Sequence, residues 1–434
     1  MEKLGWHSLG ASFECPCGVT HTLPIEACHI GSDAAQRLAE FARERCGATC
    51  LVVSDENTRQ AGGERLLSAL SGAGKRIEEQ VYGSDPIEAT EELGEEVAAL
   101  GADADFFVAI GSGTLCDLAK YAGNKHGRPA LLYASAASMN GYTSAIVALK
   151  VRGLKRTLPC APAVGVFADP DVIATAPVRM GAAGVGDFLS KFSSSSDWYT
   201  AHFLRQDYYC ARPSEFYEGT QERLLAAAPR VAQRDPEALA TVLEVLILAG
   251  FAMVVAGSSA PASGGEHLIS HYLDMKHATE GTRKDLHGVQ VGVGTVYALG
   301  LWEKVLALDP ECIDAEALVE QQPSGEEIRA RIEEDWGRVA PEVLAQWQEK
   351  ALDREGLRKE LERFKAGLPE LRETLSRELL PADTVAAAIR AAGGPTGPEG
   401  LDAPVEQYDK ALRFARFIRN RFTILDLAAE LGVA

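Results

Sequence analysis

Positive charge is scarce in this chain. Lys and Arg number 43 against 62 Asp and Glu, a formal net charge of -19. Nucleic acids and anionic membrane surfaces both need a basic face, so neither is expected as the main partner. A small anionic ligand needs only a local positive site and stays allowed. Long apolar runs are also lacking. The closest, 245–256, is about half the ~20 residues a bilayer requires, and no membrane insertion is expected. The N-terminus, MEKLGWHSLG, has no basic stretch leading into an apolar one. No secretion signal is therefore expected, and the chain reads as cytoplasmic. There is no internal repeat and no long low-complexity segment. Nine cysteines, an odd number scattered over the chain, fit reduced thiols better than a disulfide framework. Cys15, Cys17 and His21 in SFECPCGVTHT could belong to a metal knuckle. A closed zinc site needs four ligands, however, and no second pair is found downstream; the alternative is a turn or hairpin carrying reduced thiols.

What is present is a two-part texture. Helix and strand signals alternate up to about residue 170: a helix at 32–46, strands at 49–53, 77–82, 105–110, 130–133 and 164–168, and helices at 87–100 and 115–124. Such alternation predicts a parallel sheet with helices on its faces. Beyond about residue 170 helical patterns dominate. A mostly apolar helix is expected at 237–256, long, partly exposed helices within 323–379, a Gly/Pro loop at 391–404 and a basic helix at 410–421. The expected organisation is an α/β domain at 1–175 followed by an all-α domain at 176–434.

Three stretches carry chemistry. The 105–110 strand runs into Gly111-Ser112-Gly113-Thr114 and then a helix, a geometry that offers free backbone N–H groups to a phosphate. The full Gly-x-Gly-x-x-Gly fingerprint is missing. Asp117 either braces this loop or is a first-turn Asp favoured by the helix dipole. Asp55, at the end of the 49–53 strand, is placed to accept a ribose diol or, alternatively, to cap the segment after it. Residues 135–144, SAASMNGYTS, put hydroxyls at a strand's carboxyl end, where open α/β sheets bind ligands.

The third stretch, 258–287, clusters histidines. A Gly-Gly pair opens a helix with His267 and His271 on one face, and His287 starts the next apolar segment. Two imidazoles need a carboxylate. Asp187, after the glycines of MGAAGVGD, is a helix N-cap taken singly; with His267 and His287 it makes an open site suited to Zn²⁺, Fe²⁺ or Ni²⁺.

These motifs occur in a recognisable order: Asp55, GSGTLCDLAKYAGNKHGRP at 111–129, SAASMNGYTS at 135–144, GVGD at 184–187, GGEHLISHYLD at 264–274, LHG at 286–288 and RFTILDLAAELG at 421–432. Together they resemble the sn-glycerol-1-phosphate dehydrogenases, particularly the bacterial AraM-like branch, within the dehydroquinate synthase-like and iron-containing alcohol dehydrogenase superfamily. The resemblance runs over nearly the whole chain and is weakest around 323–400. It implies an N-terminal Rossmann-like α/β domain, an all-α C-terminal domain and a cleft between them. It implies one divalent metal (Zn, Ni or Fe) on Asp187, His267 and His287, with Asp187, His271 and Asn140 meeting substrate and Asp187 and His271 catalytic. It implies NAD(H) or NADP(H), held by Asp55, by Gly111, Gly113, Thr114, Leu115, Cys116 and Asp117 at the pyrophosphate, and by Ser135, Ser138 and Ser144 beside the nicotinamide. Two departures stand out. Asn140 is an amide where many members carry Asp, and Ser112 replaces the middle glycine of a Gly-Gly-Gly turn. The implied reaction is reversible reduction of dihydroxyacetone phosphate to sn-glycerol 1-phosphate. Lys191, Arg283 and Lys284 are candidates for the substrate phosphate, though surface roles are the simpler expectation for each. The alternatives are a polyol or glycerol dehydrogenase of the same superfamily, a lyase-type relative using the nucleotide without net redox change, and a nucleotide-binding protein without turnover. A homo-oligomer, as a dimer, is expected because symmetric assembly is common.

Overall fold

A computed structural model of the chain describes residues 2–151 and 154–434. Among the described residues ten strands fall in three sheets: β1 Ser12–Glu14, β2 Thr20–Thr22, β3 Ala27–Ile30, β4 Thr49–Asp55, β5 Arg76–Tyr82, β6 Phe106–Gly111, β7 Ala130–Ala134, β8 Ile146–Val151, β9 Leu154–Pro159 and β10 Gly165–Ala168. Six form one parallel sheet in the order β3-β10-β7-β6-β4-β5. Every residue of β6 and β7 is buried, the pattern of strands covered by helices on both faces. β5 is one edge strand; Arg76, Glu78 and Glu79 leave it charged and exposed, which blunts edge-to-edge pairing. β4 pairs with β5 on one side and with β6 on the other, so connections diverge there. Sheets of this kind take ligands outside the carboxyl ends of the strands at such a switch point, here beside β4 and β6, where Asp55 and Gly111 lie.

Two hairpins stand apart from the sheet. β8 and β9 pair antiparallel and reach toward the helical half. Neither they nor the short edge strand β3 were expected. The β1–β2 hairpin leaves the sheet's strands alone and the N-terminal segment packs on helices: Leu4 N–H donates to Glu215 at 2.9 Å, and the Trp6 ring meets Phe251 edge-on at 5.6 Å.

After β10 the described chain is helical. Its centre is the helix Pro236–Ala256, started by Asp235, which accepts from the Ala238 N–H at 2.9 Å. With a mean hydropathy of 2.4 over its most apolar window it is long and apolar enough to cross a bilayer, which corrects the expectation from 245–256 alone. That window is 78% buried, as in a bundle core. The 323–379 region forms Gly325–Trp336, Ala340–Lys350 and Arg354–Leu375, each burying one apolar face. The basic helix expected at 410–421 is instead Val405–Phe414, a 3₁₀ turn at Ala415–Phe417, and a final helix at Ile424–Glu430 capped by Thr423.

Candidate active site

Three helices set the histidines and the carboxylate. Asp187 lies in the last turn of Val178–Leu189, not at a helix start, so the N-cap alternative is overturned. The glycines before it, Gly181, Gly184 and Gly186, lie inside that helix, and a Cβ on Gly186 would come within 2.5 Å of the Gly288 carbonyl on a neighbouring helix. A Cβ on Gly288 would strike the Ala183 carbonyl, and one on Gly294 would come within 2.8 Å of the Glu266 carbonyl. Glycine costs a helix about 1 kcal/mol relative to alanine. Here it lets Val178–Leu189, Gly265–Glu280 and His287–Leu306 approach almost backbone to backbone. A bidentate ion pair between Arg179 and Asp285 ties two of these helices near their starts.

Within this contact, one donor atom each from Asp187, His267 and His287 lies within 4.8 Å of the others. His267 Nε2 is 3.4 Å from Asp187 Oδ1. The outward nitrogens are fixed: His267 Nδ1–H donates to Glu266 at 2.9 Å, and His287 Nδ1 lies 3.0 Å from Ser270 Oγ, which also accepts from Gln290. Such partners set the tautomer and aim Nε2 inward. Asn140 donates to Asp187 from its backbone at 2.8 Å and from its amide at 3.1 Å. His271 stacks on His287 with ring centroids 5.5 Å apart.

Burial pushes the Asp187 carboxyl up, but Lys191, His267 and His287 outweigh it and hold it well below the usual carboxylate range. His287 is brought down to about 3 by burial, then by Lys155 and His267, against Asp187 and Asp274. Burial, His287, Arg419 and Lys155 hold His271 well below the ordinary imidazole value. His271 and His287 are thus neutral at working pH, the form that ligates metals and donates a single N–H. A carboxylate and two imidazoles within ligand distance, each with an outer partner, suit a divalent transition metal.

Lys191 is not on the surface. It is fully buried, and its ammonium donates to the carbonyls of Asp187 at 2.8 Å and Ala262 at 3.1 Å, with Asp187 Oδ1 at 3.6 Å. A phosphate cannot reach it. Arg283 is exposed and Lys284 half-buried.

On the sheet side, Ser112 precedes the helix Gly113–His126 at the end of β6, and its hydroxyl is 2.5 Å from that of Ser138. The Leu115 side chain packs in the core, Cys116 Sγ points to the Gly111 carbonyl, and Thr114 Oγ1 is 3.5 Å from the Ile87 carbonyl. Asp117 is buried and accepts from the Ala148 N–H at 3.0 Å, bracing the loop against β8. Ser135 N–H donates to the Gly111 carbonyl at 3.0 Å, which ties the two candidate cofactor loops together. Ser144 is fully buried, with its hydroxyl turned to the Gly141 carbonyl. Asp55 caps Glu56–Thr58, accepting from the Thr58 N–H at 2.7 Å through one carboxylate oxygen.

Several supporting residues left no mark in the sequence. Buried Lys120 donates to the carbonyls of Gly141 at 3.0 Å and Ile146 at 2.7 Å, clamping the 141–146 loop. Asp197 starts two helices at once, accepting from Gly265 and Ile424 at 2.7 Å each. Lys155, on β9, pairs with Asp274 one turn from His271. Only Glu266, beside a histidine at a helix start, carried a readable signal.

Comparison with known proteins gives the same picture. Residues 29–177 match the family model described as iron-containing alcohol dehydrogenase. A glycerol-1-phosphate dehydrogenase (NAD(P)+) of Bacillus licheniformis is 28% identical over 98% of this chain and 94% of its own. One from Thermococcus kodakarensis is 33% identical over 65% of this chain and 85% of its own. Among solved structures, a 1,3-propanediol oxidoreductase superposes with a TM-score of 0.60 at 14% identity, covering 94% of this chain and 97% of that one. An Oenococcus oeni alcohol dehydrogenase gives 0.59 at 16%, covering 94% and 98%. At such identities the structures speak for the fold, while the sequence relatives decide the family: the chain belongs to the glycerol-1-phosphate dehydrogenases of the iron-containing alcohol dehydrogenase-like group.

Proposed function

We propose that the chain catalyses the reversible, metal-dependent and NAD(P)H-linked reduction of dihydroxyacetone phosphate to sn-glycerol 1-phosphate. The observation that carries this reading is the convergence of Asp187, His267 and His287 in a chain whose relatives are glycerol-1-phosphate dehydrogenases. Those three residues would hold one divalent ion, which supplies Lewis acidity toward the ketone oxygen. The nicotinamide supplies the hydride.

The remaining work belongs to the chain. Asn140 and Lys191 keep the Asp187 carboxylate ionised and in place. Glu266 and Ser270 orient the two imidazoles. Neutral His271 presents its ring N–H to the substrate oxygen as a hydrogen-bond donor that stabilises the charge developing there, and the proton the alkoxide takes up comes from solvent. The substrate phosphate meets Lys155, Arg156 and Arg419, the cations that bear on His271 and on one another. Arg419 has a mostly buried guanidinium whose hydrogen bond, among the described residues, goes to the Ile418 carbonyl at 3.3 Å, leaving donors for an anion. The pyrophosphate of the nucleotide sits on the free N–H groups at the start of Gly113–His126, with Asp55 toward the ribose. A cytoplasmic homo-oligomer acting on a small phosphorylated substrate is part of the same reading.

The test is NADH oxidation with dihydroxyacetone phosphate before chelation, after it, and after divalent metal is restored. Loss and recovery of turnover is expected. A metal-loaded enzyme that does not turn over this substrate overturns the reading.

A further inference from the structure

A second cluster of ligating side chains lies outside this site. Cys15, Cys17 and His21 sit on and around the turn of the β1–β2 hairpin, and Cys210 joins them from beyond the helix Lys191–Arg205. One Sγ or Nε2 atom from each of the four lies within 4.8 Å of all the others. Cys15 Sγ is 3.7 Å from Cys210 Sγ, Cys210 Sγ is 3.6 Å from His21 Nε2, and Cys17 Sγ is 3.2 Å from that same nitrogen. Around a tetrahedral zinc with Zn–S about 2.3 Å and Zn–N about 2.05 Å, the edges are about 3.8 Å for S···S and about 3.6 Å for S···N. The two longer distances agree within about 0.1 Å, and the third needs only a small opening. A disulfide does not account for the cluster, since its sulfurs would be about 2.05 Å apart.

The surroundings fit a held ion. The Gly18 N–H donates to the Cys15 carbonyl at 2.9 Å, a tight turn around Pro16 that puts both thiols on one side. His21 and Cys210 are each 3% exposed. Trp198, Tyr209, Ala256 and Ala260 pack around the thiols, burying Cys210 and covering Cys15 and Cys17 in part. The Tyr208 hydroxyl lies 3.5 Å from Cys17 Sγ, the kind of outer donor that supports a bound thiolate.

We propose that Cys15, Cys17, His21 and Cys210 bind a structural zinc ion that clamps the N-terminal hairpin onto the helical half. Four protein ligands close the coordination, so this site, unlike that at Asp187, has no position for substrate. Three sulfurs and an imidazole select zinc over the harder divalent ions.

Cobalt(II) loading of the full-length chain tests the clamp independently of the dehydrogenase reading, because Asp187, His267 and His287 contain no sulfur. Thiolate-to-cobalt charge-transfer absorption is expected, retained in His267→Ala and lost in Cys17→Ser. Zinc analysis should show that His267→Ala still holds about one tightly bound ion per chain. Should Cys17→Ser not fold, thiol titration of the folded wild type decides: chelation should expose Cys15, Cys17 and Cys210 together. A cobalt-loaded chain without sulfur charge-transfer absorption, or a Cys15–Cys210 disulfide in protein kept reduced, overturns the proposal.

Discussion

Asn140 donates to both oxygens of Asp187, from its backbone N–H to Oδ2 at 2.8 Å and from its side-chain amide to Oδ1 at 3.1 Å. The donor comes from the loop after β7 and the acceptor from a helix of the other half, so these bonds span the two parts of the chain. An aspartate here would set a second carboxylate against Asp187.

Asn140→Ala is expected to cost about 1.5–3 kcal/mol, the value of a hydrogen bond to a charged group. Asn140→Asp should cost more in metal-free protein and recover when a divalent ion is added. Urea unfolding of both variants, with and without metal, measures this. No loss in Asn140→Ala would show that the amide is not a donor to Asp187.

Glu266 orients His267 through a bond at 2.9 Å. Glu266→Gln leaves Asp187, His267 and His287 in place and should weaken metal affinity by about 10- to 100-fold. Competition against a chelator gives the affinity; an unchanged value would remove Glu266 from the site's support.

Lys155→Ala and Arg419→Ala should each raise KM for dihydroxyacetone phosphate far more than they lower kcat. Unphosphorylated dihydroxyacetone should be little affected, because the lost contact is to the phosphate. Parallel losses on both substrates would place these cations elsewhere in the mechanism.

The Arg179–Asp285 pair predicts a pH dependence. Burial pushes the Asp285 carboxyl up, but Arg179 and the N–H groups of Asp402 and Leu286 hold it below its ordinary 3.8. A group depressed in the fold contributes stability above its unfolded pKa and loses that contribution as pH falls toward its folded value. Wild-type stability should therefore drop below about pH 4. Arg179→Met should cost about 2 kcal/mol at pH 7 and flatten that acid-side drop. Denaturant midpoints between pH 3 and 7 report both, and an unchanged acid slope would refute the assignment.

Asp55 caps a short helix turn and lies at the carboxyl end of β4, where the proposed nucleotide site would set its ribose. Asp55→Ser keeps a capping oxygen and removes the charge, so the fold should hold while the preference for NADH over NADPH falls. The ratio of kcat/KM for the two nucleotides is the readout.

Much of the architecture was legible because it is local. β4, β6 and β7 are short buried apolar runs ended by turn residues, and such runs are strands whatever surrounds them. His267 and His271 share a face because a helix repeats every 3.6 residues. The β8–β9 hairpin was not legible: its lysines and arginine give no clean alternation, and it gains its meaning only by carrying Lys155 to Asp274.

By itself the sequence determined the strand-turn-helix that presents Gly111 to Thr114, the order of the helices and the pairing of His267 with His271 along one of them. Each depends on backbone geometry within a few residues. Only the tertiary structure decided that Asp187 ends a helix rather than starting one, that Lys191 is buried beneath it, that Asn140 reaches it, and that Cys210 meets Cys15 across 195 positions. The physical reason is close packing. Which distant side chains converge depends on how near two helices can approach, and here glycines such as Gly288 and Gly294, unremarkable in one dimension, set that distance.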